Sequence, residues 1–202
     1  QSISLLENAG FVRTDESWSD PQGEGVEWEL IVPAGWSDWV RSSQVIAQDL
    51  GEIGLSVKVR TLDFGAWLHA VQTGDFDLAM GWAQRGPTPY EMFKGLMGSH
   101  DLKAIGESSV SNWHRFAHPE ADRILAEIES TPQQDRQAPF FIELQHLFES
   151  EKPAIPLFPG PVWGSYNTTR FTGFPNEQAP TSILPPNRAP ESLITMAELR
   201  PR

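Results

Sequence analysis

Between residues 26 and 82 the apolar positions switch repeatedly between two periods. In VEWELIV, 26–32, Val26, Trp28, Leu30 and Val32 alternate with Glu27 and Glu29, which is the period of a strand. Ser37 can then cap a helix running to about Ile53, with Ile46, Ala47, Leu50 and Ile53 on one stripe and Gly54 as the stop. LSVKVRT, 55–61, alternates again, Leu55, Val57 and Val59 inward, Lys58 and Arg60 outward. Strand, helix and strand at this spacing predict a βαβ unit with parallel pairing and a right-handed crossover. Neighbouring strands would set Glu27 and Glu29 against Lys58 and Arg60. Asp63 is placed to cap a second helix, 64–73, ended by Gly74. A third strand, 76–82, has a bulky side (Phe76, Leu78, Met80, Trp82) and a small side (Asp77, Ala79, Gly81), the pattern of a central strand with a helix close on one face.

Outside this unit the signals are shorter. Residues 3–9 predict a helix stopped by Gly10, and the polar stretch 12–25 predicts a loop. Residues 84–118 are rich in Gly, Pro, Ser and Asn, with one helical turn near 89–97. His118-Pro119-Glu120 opens a helix whose buried stripe is Ala121, Ile124, Leu125 and Ile128. A further helix starts at Thr131-Pro132, with Phe140, Phe141, Leu144, Leu147 and Phe148 inward, and Pro139 should kink or split it. The tail from 153 is broken by prolines. The fold class is therefore α/β, with a mostly parallel sheet flanked by helices.

Charge and composition narrow the partners. Fifteen Lys+Arg against 27 Asp+Glu leave the 202-residue chain at −12, a field that repels nucleic acid and anionic membranes. With no cysteine there is no disulfide, thiolate metal site or cysteine nucleophile. The chain starts at Gln1 without an initiator Met or a signal peptide, which reads as a processed or excised chain. No hydrolase elbow, phosphate loop or HExxH motif is present, so no catalytic residue is assigned. His114 and His118 have ligand spacing on a helix, yet Pro119 pulls the chain extended there, so no metal and no cofactor are expected. Asp75 follows Gly74 and reads as the end of a turn, so Asp75 and Asp77 read as structural rather than as a glycosidase pair. Asn167-Thr168-Thr169 is a glycosylation sequon without a context.

What remains is the composition of a binding site. Eight Trp accompany 17 Pro, and several indoles sit beside Pro or Gly. Trp82 ends a strand, where ligands of open α/β sheets gather, and Gln84, Thr88 and Tyr90 follow. Asn112, Trp113, His114 and Arg115 form a second cluster; Phe158, Pro159, Trp163 and Tyr166 form a third. Flat aromatic faces beside amide and guanidinium groups suit sugar rings. Trp28 and Trp67 read as core, while Trp36 and Trp39 fit either role.

Four segments carry a resemblance: WELIVPAG..DWV, AQDLGEIGLSVKVRTLDFGAWLHAVQTGDFDLAMGW, NWHRFAHPEAD and PAIPLFPGPVWGSYNTTRFTGFP. Together they resemble the C-terminal lobe of the family-5 extracellular solute-binding proteins of ABC importers, over about residues 3–199. The aromatic segments look most like the cellobiose/β-glucan-binding branch. The resemblance implies a periplasmic-binding-protein-like (class II) lobe spanning 1–202, with an N-terminal lobe absent. It implies a non-enzymatic receptor outside the cytoplasm, in the periplasm or as a cell-surface lipoprotein, delivering an oligosaccharide to an ABC permease. Trp82, Gln84, Tyr90, Asn112, Trp113, Arg115, Phe158 and Trp163 would line the cleft. A peptide receptor of the same fold is the alternative, in which Arg85 or Arg115 would pair with the ligand carboxylate. A carbohydrate-active enzyme is the third reading.

Overall fold

The computed structural model describes residues 1–14, 17–86, 88–160, 165–178 and 191–202. They divide into two compact units, Gln1–Ile155 and Pro156–Arg202.

The first unit opens with α1 (Ser2–Asn8) and two short antiparallel strands, β1 (Val12–Arg13) and β2 (Trp18–Ser19). A loop was expected over 12–25, and Trp18 is the reason it is not one. Its ring is wholly buried beneath Val26 and Leu55, and its Nε1–H donates to the Ile53 carbonyl at 2.7 Å.

β3 (Glu27–Pro33), α2 (Ser37–Glu52) and β4 (Ser56–Leu62) form the βαβ unit, with β3 and β4 parallel from Glu27↔Ser56 to Pro33↔Leu62. The acidic and basic side chains meet two residues along β4 from their register partners: Glu27 pairs with Lys58, and Glu29 with Arg60 at 3.0 Å. The helix starts at Ser37 but is not capped by its hydroxyl; Trp36 holds the cap position. β3 is the middle strand in the order β4-β3-β5, and Leu30, Ile31 and Val32 are buried in succession because both of its faces are covered. Leu30 and Val32 face the α2 side, with Val40 and Ile46, while Ile31 faces the α3 side, with Trp67 and Val71.

α3 (Phe64–Thr73) begins where expected. Asp63 Oδ1 accepts from the Ala66 N–H at 3.0 Å, and Gly74 closes the helix at φ 77°, a conformation that costs a Cβ-bearing residue. The third strand is shorter than the pattern suggests. β5 (Leu78–Ala79) pairs only Leu30↔Leu78 and Ile31↔Ala79, at the edge of the described sheet rather than its centre. Its predecessor Asp77 binds the sheet by its side chain instead: Oδ2 accepts from the Glu29 N–H at 2.9 Å. That contact gives this carboxylate a structural task.

α4 (Tyr90–Met97), α5 (Pro119–Ser130) and α6 (Gln134–Glu151) make a separate helical layer around Phe93, Met97, Ile124, Leu125, Ile128 and Leu144. His118 caps α5, its Nδ1 accepting from the Glu120 N–H. Pro139 neither stops nor splits α6. As the sixth helical residue it forfeits one early backbone bond, and the flanking Phe140, Phe141, Leu147 and Phe148 are held by the layer below.

The second unit pairs β6 (Phe171–Thr172) with β7 (Arg200–Pro201), antiparallel, with α7 (Glu191–Glu198) between them in sequence. Tyr166 stacks on Phe174, ring centroids 4.5 Å apart. Asn167 of the sequon closes an Asx turn on Thr169. No helix among the described residues is long and apolar enough to cross a membrane.

Candidate functional site

Each of the three parallel strands runs into an aromatic residue just past its carboxyl end. Pro33 is followed by Trp36, Leu62 by Phe64, and Ala79 by Trp82. The chain must turn there to enter α2 and α3 or to leave the sheet, and each turn carries its ring onto the same rim. Trp36 lies 5.8 Å from Phe64 with planes 26° apart, and 6.2 Å from Trp82 with planes 33° apart. Because β3 is the middle strand, the row reads Phe64, Trp36, Trp82 across the edge. Their exposures of 45, 37 and 39% leave ring surface open to solvent.

Beneath the row lies a second set of indoles. Trp39 meets Trp36 edge-on at 4.7 Å and 77°, and Trp113 meets Trp82 edge-on at 5.1 Å and 81°. An aromatic edge is positive and a face negative, so each T-shaped contact is attractive as well as space-filling. Trp67, wholly buried, touches five rings: Trp36, Trp39, Phe64, Trp82 and Trp113.

Trp113 reaches this floor from a loop distant in sequence, and two neighbours hold it there. Asn112 sits at φ 47° and is buried; its Nδ2 donates to the carbonyls of Gly98 and Phe116, and its Oδ1 accepts from the Phe116 N–H. Arg115, at φ 55°, donates to the carbonyls of Val71, Gln72, Trp113 and Glu107. Two of those carbonyls belong to the last turn of α3, where a cation also opposes the negative end of the helix. Thr73 and Gln72 further accept from the N–H groups of Gly106 and Ser109. The loop is thus fastened onto the C-terminus of α3, whose Trp67 it completes.

Trp82, Gln84, Asn112 and Trp113 line one small pocket together with Gly95, Leu96, Ser111 and His114. The His114 Nε2–H donates to the Leu96 carbonyl at 2.8 Å, and burial holds its imidazole below the ordinary value, with the Arg115 charge acting the same way. The other residues singled out in the sequence lie elsewhere. Tyr90 packs on the helical layer with Lys94 Nζ 5.3 Å from its ring, and Phe158 is a half-exposed ring of the second unit. Trp163 lies outside the described residues. Arg115 and Asn112 are committed to backbone partners rather than to the rim. Sequence reasoning left Trp36 open between site and core and missed Phe64. The signal that finds them is an aromatic two or three residues past each strand end. Among the described residues no group of three or more His, Asp or Glu could hold a metal ion.

A sequence model described as bacterial extracellular solute-binding proteins, family 5 Middle, matches residues 1–103. The probable di/tripeptide-binding protein 5 of Pseudomonas aeruginosa is 23% identical over 57% of this chain and 21% of its own length. The peptide transport periplasmic protein SapA of Salmonella typhimurium is 24% identical over 66% of this chain and 24% of its own. The chain thus spans about a quarter of the curated relatives it matches. The mannohexaose-bound periplasmic oligopeptide-binding protein of an ABC transporter from Thermotoga maritima shares the fold, with a TM-score of 0.84, 23% identity, and coverage of 100% of this chain and 38% of that one.

Proposed function

The chain belongs to the bacterial extracellular solute-binding proteins of family 5, and from that premise we propose that it is the C-terminal lobe of a two-lobed receptor capturing an oligosaccharide for an ABC permease. The observation that carries the reading is the aromatic rim at the carboxyl edge of the parallel sheet. That edge is where open α/β sheets bind ligands. Pyranose C–H faces stack on indole and phenyl rings without needing an ion pair. The floor of edge-on indoles fixes the rim before a ligand arrives, which lowers the ordering cost of binding.

In this reading Trp82, Gln84 and Trp113 contact or bound the ligand. Asn112 and Arg115 position Trp113, and Tyr90, Phe158 and Trp163 remain candidates for contacts farther along the ligand. Closure of an N-terminal lobe over the rim would exclude water and present a closed form to the permease. The matched proteins are solute-binding proteins, so no turnover is proposed, and the site of action is extracytoplasmic.

A peptide is the second reading, favoured by the di/tripeptide-binding and peptide-transport proteins among its relatives. It needs a cation for the ligand carboxylate. Arg115 already serves four carbonyls; of the two arginines the sequence offers this leaves Arg85, exposed and in no ion pair among the described residues, and the structure adds Arg41, exposed beside Ala34, Gly35 and Thr61 at the carboxyl ends of β3 and β4. Calorimetric titration of the two-lobed protein with cello- and manno-oligosaccharides and with di- and tripeptides tests the choice. Heats of binding confined to peptides would overturn the oligosaccharide reading.

A further inference from the structure

We infer that Gly95 of α4 is a positioning residue for the binding rim: its bare Cα seats the stem of Gln84 and so sets that carboxamide at the pocket Gln84 shares with Trp82 and Trp113. The inference rests on the proposed receptor reading and adds to it the residue that fixes a polar contact beside the rings.

Gly95 is buried in the interior of the eight-residue α4, where only proline is a poorer helix former than glycine. What it makes room for explains it. A methyl group on Gly95 would lie 2.6 Å from Gln84 Cγ and 3.2 Å from Gln84 Cβ. These are the first two carbons of the side chain, so clearing them takes a turn about χ1, and that turn carries the carboxamide away. The same stretch of chain meets other elements closely at two more glycines. A methyl group on Gly81 would touch Trp113 Cζ3 at 3.5 Å, and one on Gly86 would overlap the Glu91 side chain of α4. Residues 81–86 therefore run in close contact with both α4 and Trp113.

The C-terminal end of α4 is in turn fixed by the loop that carries Trp113. The last carbonyls of a helix have no partner inside it. Here Gly95 O accepts from the Asn112 N–H at 2.7 Å, Leu96 O from the His114 Nε2–H at 2.8 Å, and Gly98 O from Asn112 Nδ2 at 2.9 Å. Gly95 thus ties two sides of the pocket to one residue: its Cα takes Gln84, and its carbonyl takes the residue before Trp113. The pocket measures about 30 Å³, room for one water molecule or for one hydroxyl or carbonyl oxygen of a ligand. Gln84 is exposed, and its carboxamide has no hydrogen-bond partner among the described residues, so its donors and its acceptor are available there.

The test is a double-mutant cycle on the 202-residue chain with Gln84→Ala, Gly95→Ala and the two combined. Gly51→Ala, at a helical position where a methyl group meets nothing within 4 Å, is the control. Dissociation constants for cellotetraose and for tetraalanine come from NMR titration, and folding is followed by circular dichroism on heating. Each single variant should bind cellotetraose about fivefold more weakly, the loss of one hydrogen bond. The double variant should bind no more weakly than Gln84→Ala alone, because the added methyl group has no carboxamide left to displace. Gly95→Ala should keep its Tm within about 5 °C of the parent, and Gly51→Ala should bind as the parent does. Parent affinity in either single variant, or losses that multiply to about twenty-fivefold in the double variant, would overturn the positioning role and leave the receptor reading standing. The Gln84→Ala arm decides this even if Gly95→Ala does not fold. Binding of tetraalanine without cellotetraose would overturn the oligosaccharide reading alone, and the same cycle read with tetraalanine then decides the role of Gly95. Binding of neither probe would overturn both.

Discussion

Replacing Trp67 with alanine removes the centre of the aromatic cluster, and its cost can be worked from the structure. The side chain is wholly buried and contacts five other rings at 5.1–6.3 Å. It also joins Ile31 and Val71 in the layer between the sheet and α3. Truncating a buried Trp costs about 3–5 kcal/mol, because lost transfer energy adds to an unfilled cavity. The five ring contacts argue against the lower end of that range, since aromatic pairs add about 0.5–1.5 kcal/mol each beyond area. About 4 kcal/mol is expected. With a urea slope of about 2 kcal/mol per molar, the unfolding midpoint falls by about 2 M. Phe64→Ala, at a half-exposed ring on the same rim, should cost about 1 kcal/mol by comparison. The assay is urea unfolding followed by the indole exciton band in circular dichroism, which also reports whether the remaining rings stay coupled. A midpoint shift under about 0.5 M for Trp67→Ala would refute the account of the floor as a packed, rigid support.

Three further outcomes follow from the same structure. Arg115→Ala should lower the Tm by about 5–10 °C, because charge-assisted bonds to four carbonyls are lost, and Arg115→Lys should not restore it, since one ammonium cannot span the same acceptors. For His114, burial depresses the folded-state pKa, so the unfolded chain binds more protons once the pH falls below the ordinary imidazole value of about 6.5; stability should decline from there down to the folded value, and His114→Gln should flatten that slope in urea titrations at stepped pH. Arg85→Ala should leave oligosaccharide affinity within about threefold in calorimetry; a loss of more than about a hundredfold for a peptide would instead assign Arg85 to a ligand carboxylate.

The βαβ core was readable because its burial is periodic: Leu30 and Val32 against Ile31, Asp63 as cap and Gly74 as stop all follow from local rules. The β1–β2 pair was not readable, because what orders it is a contact between Trp18 and the Ile53 carbonyl, far away in sequence. The truncation of β5 has a similar origin, the Asp77 carboxylate replacing a backbone rung on β3. At the site, sequence placed Trp82 at a strand end and Trp113 in a loop rich in polar groups. It could not show that Asn112 and Arg115 serve backbone carbonyls, since both residue types fit ligand contact equally well. Nor could it align Phe64 with Trp36, a consequence of the strand order alone.

The most direct measurement is a heteronuclear NMR titration of the indole N–H resonances of the chain with cellotetraose. The rim account predicts saturable shifts for Trp36 and Trp82, which have exposed rings, and none for Trp18, which is buried and bonded to Ile53. Shifts absent at Trp36 and Trp82, or produced there by a tetrapeptide and not by the sugar, would contradict it.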